Sequence, residues 1–325
     1  MAILVGIDEA GYGPHLGPLV VAAAAVRLPG DPPDPSLWGS LRGHVRKRPR
    51  GSSSRLVICD SKEAYAAGGP ALLERATLGF LAACGYVPDT LSALLAHTGL
   101  TGDTEPNTHG PWHRPESLRV PAHVAAEDVA DAADRLACGF ASIGGRCERL
   151  WVNAASPGRF NRLVHTTGNK ATALFALAAD ILGAGRHTWP EETVHVTMDC
   201  HGRRQYYADL LTEAFPLVTV QTREESRGLS RYDLVCDGPD GRPAPMRLTI
   251  AQKCERLSLP TALASMAAKY VRELHMHQLN AYFQALVPDL RRTAGYGRDA
   301  WRFLEDVAPA RATQGVPDTA ILRCR

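Results

Sequence analysis

What this chain has little of narrows its function first. No run of about 18 apolar residues occurs, so a membrane-spanning helix is not expected. The apolar N-terminal stretch is interrupted by Asp8 and Glu9 and lacks a basic lead-in, which argues against a cleaved signal peptide. The expectation is a soluble, cytoplasmic protein with no membrane partner. Neither sign of charge predominates: 36 Lys and Arg against 34 Asp and Glu leave a net charge of +2, so any nucleic-acid surface has to be a local patch. The eight cysteines contain no Cys-x-x-Cys pair and no zinc-finger spacing, and reduced, mostly buried thiols are expected instead of a disulfide framework. The twelve histidines are dispersed; His275 and His277, two apart, would not share a helix face. A Gly-x-Ser-x-Gly elbow is missing, and the glycines from Gly11 to Gly17 fit neither a P-loop nor a dinucleotide fingerprint.

What is present is an ordinary globular composition, 45% hydrophobic and 22% charged, which excludes disorder. Alternation and apolar runs predict strands over 3–8, 19–26, 149–153 and 194–199. Helical spacing predicts helices over 71–98, 127–138, 170–182, 203–214 and 261–283, the last capped by Thr261. Residues 29–55, 101–121 and 223–247 read as loop, with an exposed hairpin at 237–241. Strands alternating with helices indicate an α/β layered fold. No repeat or linker is visible, so 1–325 is read as a single domain with insertions at 27–55, 100–125 and 223–250.

Four carboxylates occupy strand ends or a polar helix row: Asp8 and Glu9 after the first strand, Asp199 after a later one, and Glu273 in the row Ser265, Lys269, Glu273. Taken singly, each is as ordinary as a cap or surface charge. Clustered, they would need a divalent cation to offset their repulsion, and oxygen ligands suit Mg²⁺ or Mn²⁺ better than Zn²⁺. Two such ions could activate water and stabilise the leaving oxygen in phosphodiester hydrolysis. The glycines near Gly11 would let backbone N–H groups approach a phosphate or sugar. The basic tract Arg46, Lys47, Arg48, Arg50 is either a phosphate-contacting arm or a solvated insertion.

The segments 6–14 (GIDEAGYGP) and 17–22 (GPLVVA), Asp60-Ser61-Lys62, Val196-Thr197-Met198-Asp199, the segment 264–273 (ASMAAKYVRE) and Gly295-Tyr296-Gly297 come in the order of the type II ribonucleases H, and together they resemble that family across nearly the whole chain. The resemblance implies an RNase H-like mixed sheet flanked by helices, with a helical C-terminal part. It implies metal-dependent cleavage of RNA in RNA/DNA hybrids, or at ribonucleotides embedded in duplex DNA, leaving 3′-hydroxyl and 5′-phosphate ends. Asp8, Glu9, Asp199 and Glu273 would be the catalytic, metal-holding set. Gly11, Tyr12 and Gly13 would read the 2′-hydroxyl. Lys62 and Lys269 would meet phosphates or orient the acids, Ser265 would belong to the substrate-binding set, and Tyr296 would face a substrate sugar. Two departures stand out. The family usually has arginine where this chain has Tyr12, and Glu273 replaces an aspartate; in both respects the chain is similar to the type III enzymes. These departures motivate a rival expectation, a hybrid-binding relative that cuts weakly. A third is another nuclease of the same superfold.

Overall fold

The computed structural model describes residues 1–30, 34–49, 54–100, 110–202, 204–235 and 245–324. Its strands are β1 (Ala2–Ala10), β2 (Leu19–Leu28), β3 (Val45–Arg46), β4 (Leu56–Val57), β5 (Arg146–Ala155), β6 (Val194–Asp199), β7 (Thr219–Ser226), β8 (Leu229–Val235) and β9 (Met246–Ala251). Its helices are α1 (Ser61–Ala83), α2 (Leu91–Thr98), α3 (Ala126–Ser142), α4 (Pro157–Thr167), α5 (Lys170–Thr188), α6 (Ala208–Ala214), α7 (Leu259–Leu286), α8 (Gly297–Asp306), α9 (Ala308–Thr313) and α10 (Asp318–Ile321).

Seven strands form one sheet in the order β5-β2-β1-β6-β9-β8-β7, while β3 and β4 pair separately. The three central strands β1, β6 and β9 are parallel, and the strands on both sides of them run antiparallel. Helices cover both faces, which is why β1 and β2 read as continuous apolar runs and not as alternations. On one face Leu4, Ala22 and Ala24 pack with Phe80 of α1, Leu136 of α3 and Met266 of α7. On the other, Ile3, Val5, Ile7 and Val196 pack with Leu174, Leu177 and Ile181 of α5. A third cluster joins Leu279 and Phe283 of α7 to Phe303, Leu304 and Ile321 of the C-terminal helices. This mixed sheet with flanking helices and a helical C-terminal part is the RNase H-like architecture that the motifs imply.

Helix α7 crosses the sheet at Gly6. A Cβ there would stand 2.0 Å from the Thr261 backbone nitrogen, so only glycine permits the approach. The Thr261 hydroxyl donates to the Thr197 carbonyl at 3.1 Å, tying α7 to β6. Glu74, fully buried in α1, accepts from the N–H groups of Ala122, His123 and Val124 at 2.6–2.9 Å and from the Tyr270 hydroxyl at 2.7 Å. That carboxylate is thereby satisfied, and α1 is held to the middle of α7.

Several expectations need correction. The cap of α7 is Ser258, whose hydroxyl accepts from the Thr261 N–H at 3.3 Å; Pro260, in the first turn, moved the boundary upstream. Residues 71–98 are two helices, and α1 begins at Ser61 under an Asp60 cap, with non-helical backbone at Gly68 and Gly69 before Pro70. The helix predicted over 203–214 is confined to α6. Residues 219–235 and 246–251, read largely as loop, are strands that widen the sheet: buried Tyr232 and Leu234 alternate with Arg231 and Asp233. Arg50, Cys236, the expected hairpin at 237–241 and residues 101–109 of the expected loop lie outside the described residues. The described cysteines are free thiols, and among the described residues no helix is long and apolar enough to cross a membrane.

Candidate active site

The site follows from register. In the parallel pair β1 and β6, Ile7 lies opposite Met198, so the next step along each strand places Asp8 and Asp199 side by side at the carboxyl ends. Next to β1 the sheet changes from parallel pairing with β6 to antiparallel pairing with β2. In open α/β sheets such carboxyl-end crevices are where ligands bind.

Asp8, Glu9 and Asp199 each present a carboxylate oxygen within 4.8 Å of the others. Asp8 is 8% exposed and the other two are half-buried. Backbone donors offset part of this concentration of charge: the Glu9 N–H donates to Asp8 Oδ1 at 2.7 Å, the Cys254 N–H donates to Asp199 Oδ1 at 3.1 Å, and the N–H groups of Lys253 and Cys200 also act on Asp199. Burial, then repulsion from Glu9 and Asp199, pushes the Asp8 carboxyl well above its ordinary range. Burial and the Asp199 charge push Glu9 up to about 7. Asp199 is raised by burial. Lys62, at the start of α1, acts in the opposite sense on Glu9 and Asp199. Three acids so placed are neutralised by protons or by a cation, and their all-oxygen donor set suits Mg²⁺ or Mn²⁺.

Helix α7 brings Ser265 against this group. Its hydroxyl hydrogen-bonds Asp8 and lies 3.0 Å from that of Ser61 at the start of α1. Glu273, two turns further along α7, is not among the three clustered acids. It accepts from Lys269 Nζ at 2.6 Å, has the Tyr65 hydroxyl at 3.4 Å, and lies 3.6 Å from Arg272 Nη1. Lys269 is accordingly turned onto Glu273 and over the Tyr65 ring, 4.7 Å from its centroid.

Gly11 has a φ of 95°, a left-handed conformation that favours glycine. The N–H groups of Tyr12 and Gly13 enter no backbone hydrogen bond among the described residues, which leaves two donors at the mouth of the site. The Tyr12 side chain is half-buried, near the charges of Glu9 and Arg204. Tyr296 is 46% exposed and next to Gly13, a Cβ on which would be 3.9 Å from Tyr296 Cε1.

Some neighbours carry no signal in the sequence pattern. Glu255 is buried beside Asp60, and burial followed by the charge of Asp199 pushes it up to about 7. The turn that includes it contains Lys253 at a φ of 59° and presents the Cys254 N–H to Asp199. Arg272 lies under the Gly11 to Gly17 loop with no exposure at all; its place in the motif beside Glu273 was the only hint of importance.

No family model matches the chain, and no curated protein matches it. Among solved structures it is similar to the ribonuclease H2 from Pyrococcus horikoshii OT3, at 13% identity over 98% of this chain and 92% of that one, with a TM-score of 0.46. A chain of the PCNA:RNase HII complex from Archaeoglobus fulgidus is 16% identical over 99% of this chain and 94% of that one, with a TM-score of 0.43. Bst-RNase HIII in complex with Mn²⁺ is 14% identical over 99% of this chain and 66% of that one, with a TM-score of 0.41.

Proposed function

We propose that the protein is a metal-dependent endonuclease that hydrolyses RNA in RNA/DNA hybrids or at ribonucleotides embedded in duplex DNA. The observation that carries this reading is the convergence of Asp8, Glu9 and Asp199 at the ends of two adjacent parallel strands. These residues would hold Mg²⁺ or Mn²⁺, which when bound would activate water and stabilise the leaving oxygen. Ser265 holds the Asp8 carboxylate, and the Cys254 N–H holds that of Asp199. The Tyr12 and Gly13 N–H groups would meet the 2′-hydroxyl of the ribose, with the Tyr296 ring against the sugar. Lys62 would meet a phosphate next to the acids. Glu273 would join the metal set by exchanging its contact with Lys269. The product ends are 3′-hydroxyl and 5′-phosphate.

The test is a labelled duplex carrying one ribonucleotide, incubated with Mg²⁺ or with Mn²⁺. Cleavage at the ribonucleotide is the expected result. Tight binding without cleavage under either ion would favour the weakly cutting relative, for which Tyr12 and the Lys269–Glu273 pair are the specific reasons. Cleavage indifferent to the ribonucleotide would favour another nuclease of the same superfold.

The basic tract allows a separate prediction. Lys47 Nζ donates to the Arg256 carbonyl at 2.5 Å and lies 4.5 Å from the centroid of the Trp38 ring, while Arg48 borders a cavity with Glu63 of α1. The described part of the tract is thus seated beside the turn that orients Asp199. Neutralising Arg46, Lys47 and Arg48 should reduce the slope of log affinity against log salt by about 0.9 for each phosphate that the variant no longer neutralises. An unchanged slope would leave the tract as a solvated insertion.

A further inference from the structure

Two arginines lie beneath the β1–β2 loop, and among the described residues neither forms a hydrogen bond with a carboxylate. Arg272 is 0% exposed; its Nη2 donates to the Leu16 carbonyl at 3.2 Å and the Ala294 carbonyl at 3.0 Å, and its Nε and Nη1 have no hydrogen-bond partner. The carboxylate beside it, that of Glu273, is 3.6 Å from Nη1 and already engaged by Lys269. Arg323, 2% exposed, donates through Nη2 to the Pro14 carbonyl and through its backbone N–H to the His15 carbonyl at 2.9 Å. Its Nε and Nη1 are likewise without partners. Each guanidinium rests on a ring, Arg272 at 5.4 Å from Tyr296 and Arg323 at 4.8 Å from Phe160. Burying two like charges is costly when, beyond carbonyls and rings, only the Glu273 carboxylate beside Arg272 offsets them, and burial with mutual repulsion holds Arg323 below its ordinary value, at about 9.

The loops are shaped to accept this arrangement. Gly11, Gly17 and Gly295 all have positive φ. A Cβ would come within 2.8 Å of Arg272 Nε at Gly11 and 3.3 Å of Arg272 Nη2 at Gly295. Residue 16 bridges to residue 322, and the N–H groups of His15 and Leu16 donate to the Gly295 carbonyl at 2.8 and 3.3 Å. The segment from Pro14 to Leu16 is therefore fixed to both the Gly295 turn and the Leu322–Arg323 segment.

We infer that Arg272 and Arg323 are positioning residues that set the Gly11 to Gly13 backbone against Tyr296, and that the segment ending at Arg323 thereby belongs to the ribose-reading part of the site. The inference rests on the ribonuclease reading above and deepens it. Neither arginine touches substrate; each acts through the loop it holds. The planar guanidinium matters, since a compact, strongly hydrated lysine ammonium cannot lie flat on the Phe160 ring while it donates to the Pro14 carbonyl.

The test compares wild type, Arg323→Met and Arg323→Lys as full chains. Binding is measured in Ca²⁺ to a duplex with one ribonucleotide and to the same duplex in all-DNA form, alongside hydrogen exchange of residues 11–17 and 294–297 and Mn²⁺ binding without nucleic acid. Arg323→Met should weaken binding of the ribonucleotide duplex about tenfold with all-DNA affinity nearly unchanged. Exchange should rise in both loops while Mn²⁺ binding stays at the wild-type level, and Arg323→Lys should fall between. Wild type that binds both duplexes equally would overturn the ribonuclease reading and this inference with it. Wild type that discriminates while a folded Arg323→Met or Arg323→Lys discriminates equally well would overturn the positioning role alone. Parallel loss of ribonucleotide binding, all-DNA binding and Mn²⁺ binding would mark Arg323 as merely structural and would also overturn that role.

Discussion

Asp8→Asn should abolish nearly all cleavage while making the metal-free protein more stable. Loss of a residue that orients a metal ligand typically costs 10–100-fold, so loss of the ligand itself should cost at least about a hundredfold. The stability gain has a separate cause. Asp8, Glu9 and Asp199 all bind their protons more tightly than ordinary carboxyls because burial, reinforced at Asp8 and Glu9 by repulsion among the acids, disfavours the charged forms. Between the ordinary carboxyl values of 3.8 and 4.5 and the Glu9 value of about 7, the folded chain holds more protons than the unfolded one. Metal-free stability must therefore fall as pH rises through that window. A divalent ion held by the three acids would reverse the loss, so Mg²⁺ or Mn²⁺ should raise the wild-type melting temperature more at pH 8 than at pH 5. Asp8→Asn removes one of the repelling charges and should raise the metal-free melting temperature at pH 8 while shrinking the response to the ion. Thermal melts across pH, with and without Mn²⁺, check each part. A variant that still cuts at the wild-type rate would remove Asp8 from the site.

Gly6→Ala should be the most damaging single methyl in the core. The added carbon would stand 2.0 Å from Thr261 N and 2.2 Å from Pro260 C, both backbone atoms at the start of α7. Rotamer changes cannot relieve a collision with backbone, so the helix must shift. A cost of about 3 kcal/mol or more is expected, at or above the upper end of ordinary overpacking. Ser265 shifts with the helix, so cleavage should fall even in the fraction that folds. Gly39→Ala, where nothing lies within 4 Å of the new carbon, is the control and should be nearly neutral. Urea unfolding of both variants makes the comparison. Equal stabilities would mean that α7 does not pack on β1 as described.

The reach of sequence reasoning can be traced to particular residues. Strands β1 and β2 were legible as apolar runs on either side of a glycine-rich turn, β6 as an alternation that ends in an acid, and α7 because its apolar positions recur at helical spacing. Strands β7 and β8 were not, since Arg223, Glu224, Arg231 and Asp233 mask a half-buried alternation, and short polar strands resemble loops in composition. Helix α4 was missed despite Ser156 and Pro157, which form its cap and first residue. In the site, Asp8, Glu9 and Asp199 could be nominated from strand ends, but their convergence depends on a register that no local pattern encodes. Glu273 illustrates the converse: a motif identifies it, and only side-chain packing reveals that Lys269 holds it. The burial of Arg272 and Arg323 was beyond reach, since arginine is ordinarily a surface residue; a motif includes Arg272 without saying that it is buried, and nothing marks Arg323.

The contact between Arg323 and Pro14 spans 309 positions of sequence. During synthesis, the loop after β1 leaves the ribosome some three hundred residues ahead of the side chain that holds it. Such a long-range closure is entropically slow. The nascent protein can assemble its sheet and still lack a finished β1–β2 loop, so under the proposed function competence to select ribose would arise as a late event in maturation, separable in time from the folding of the core.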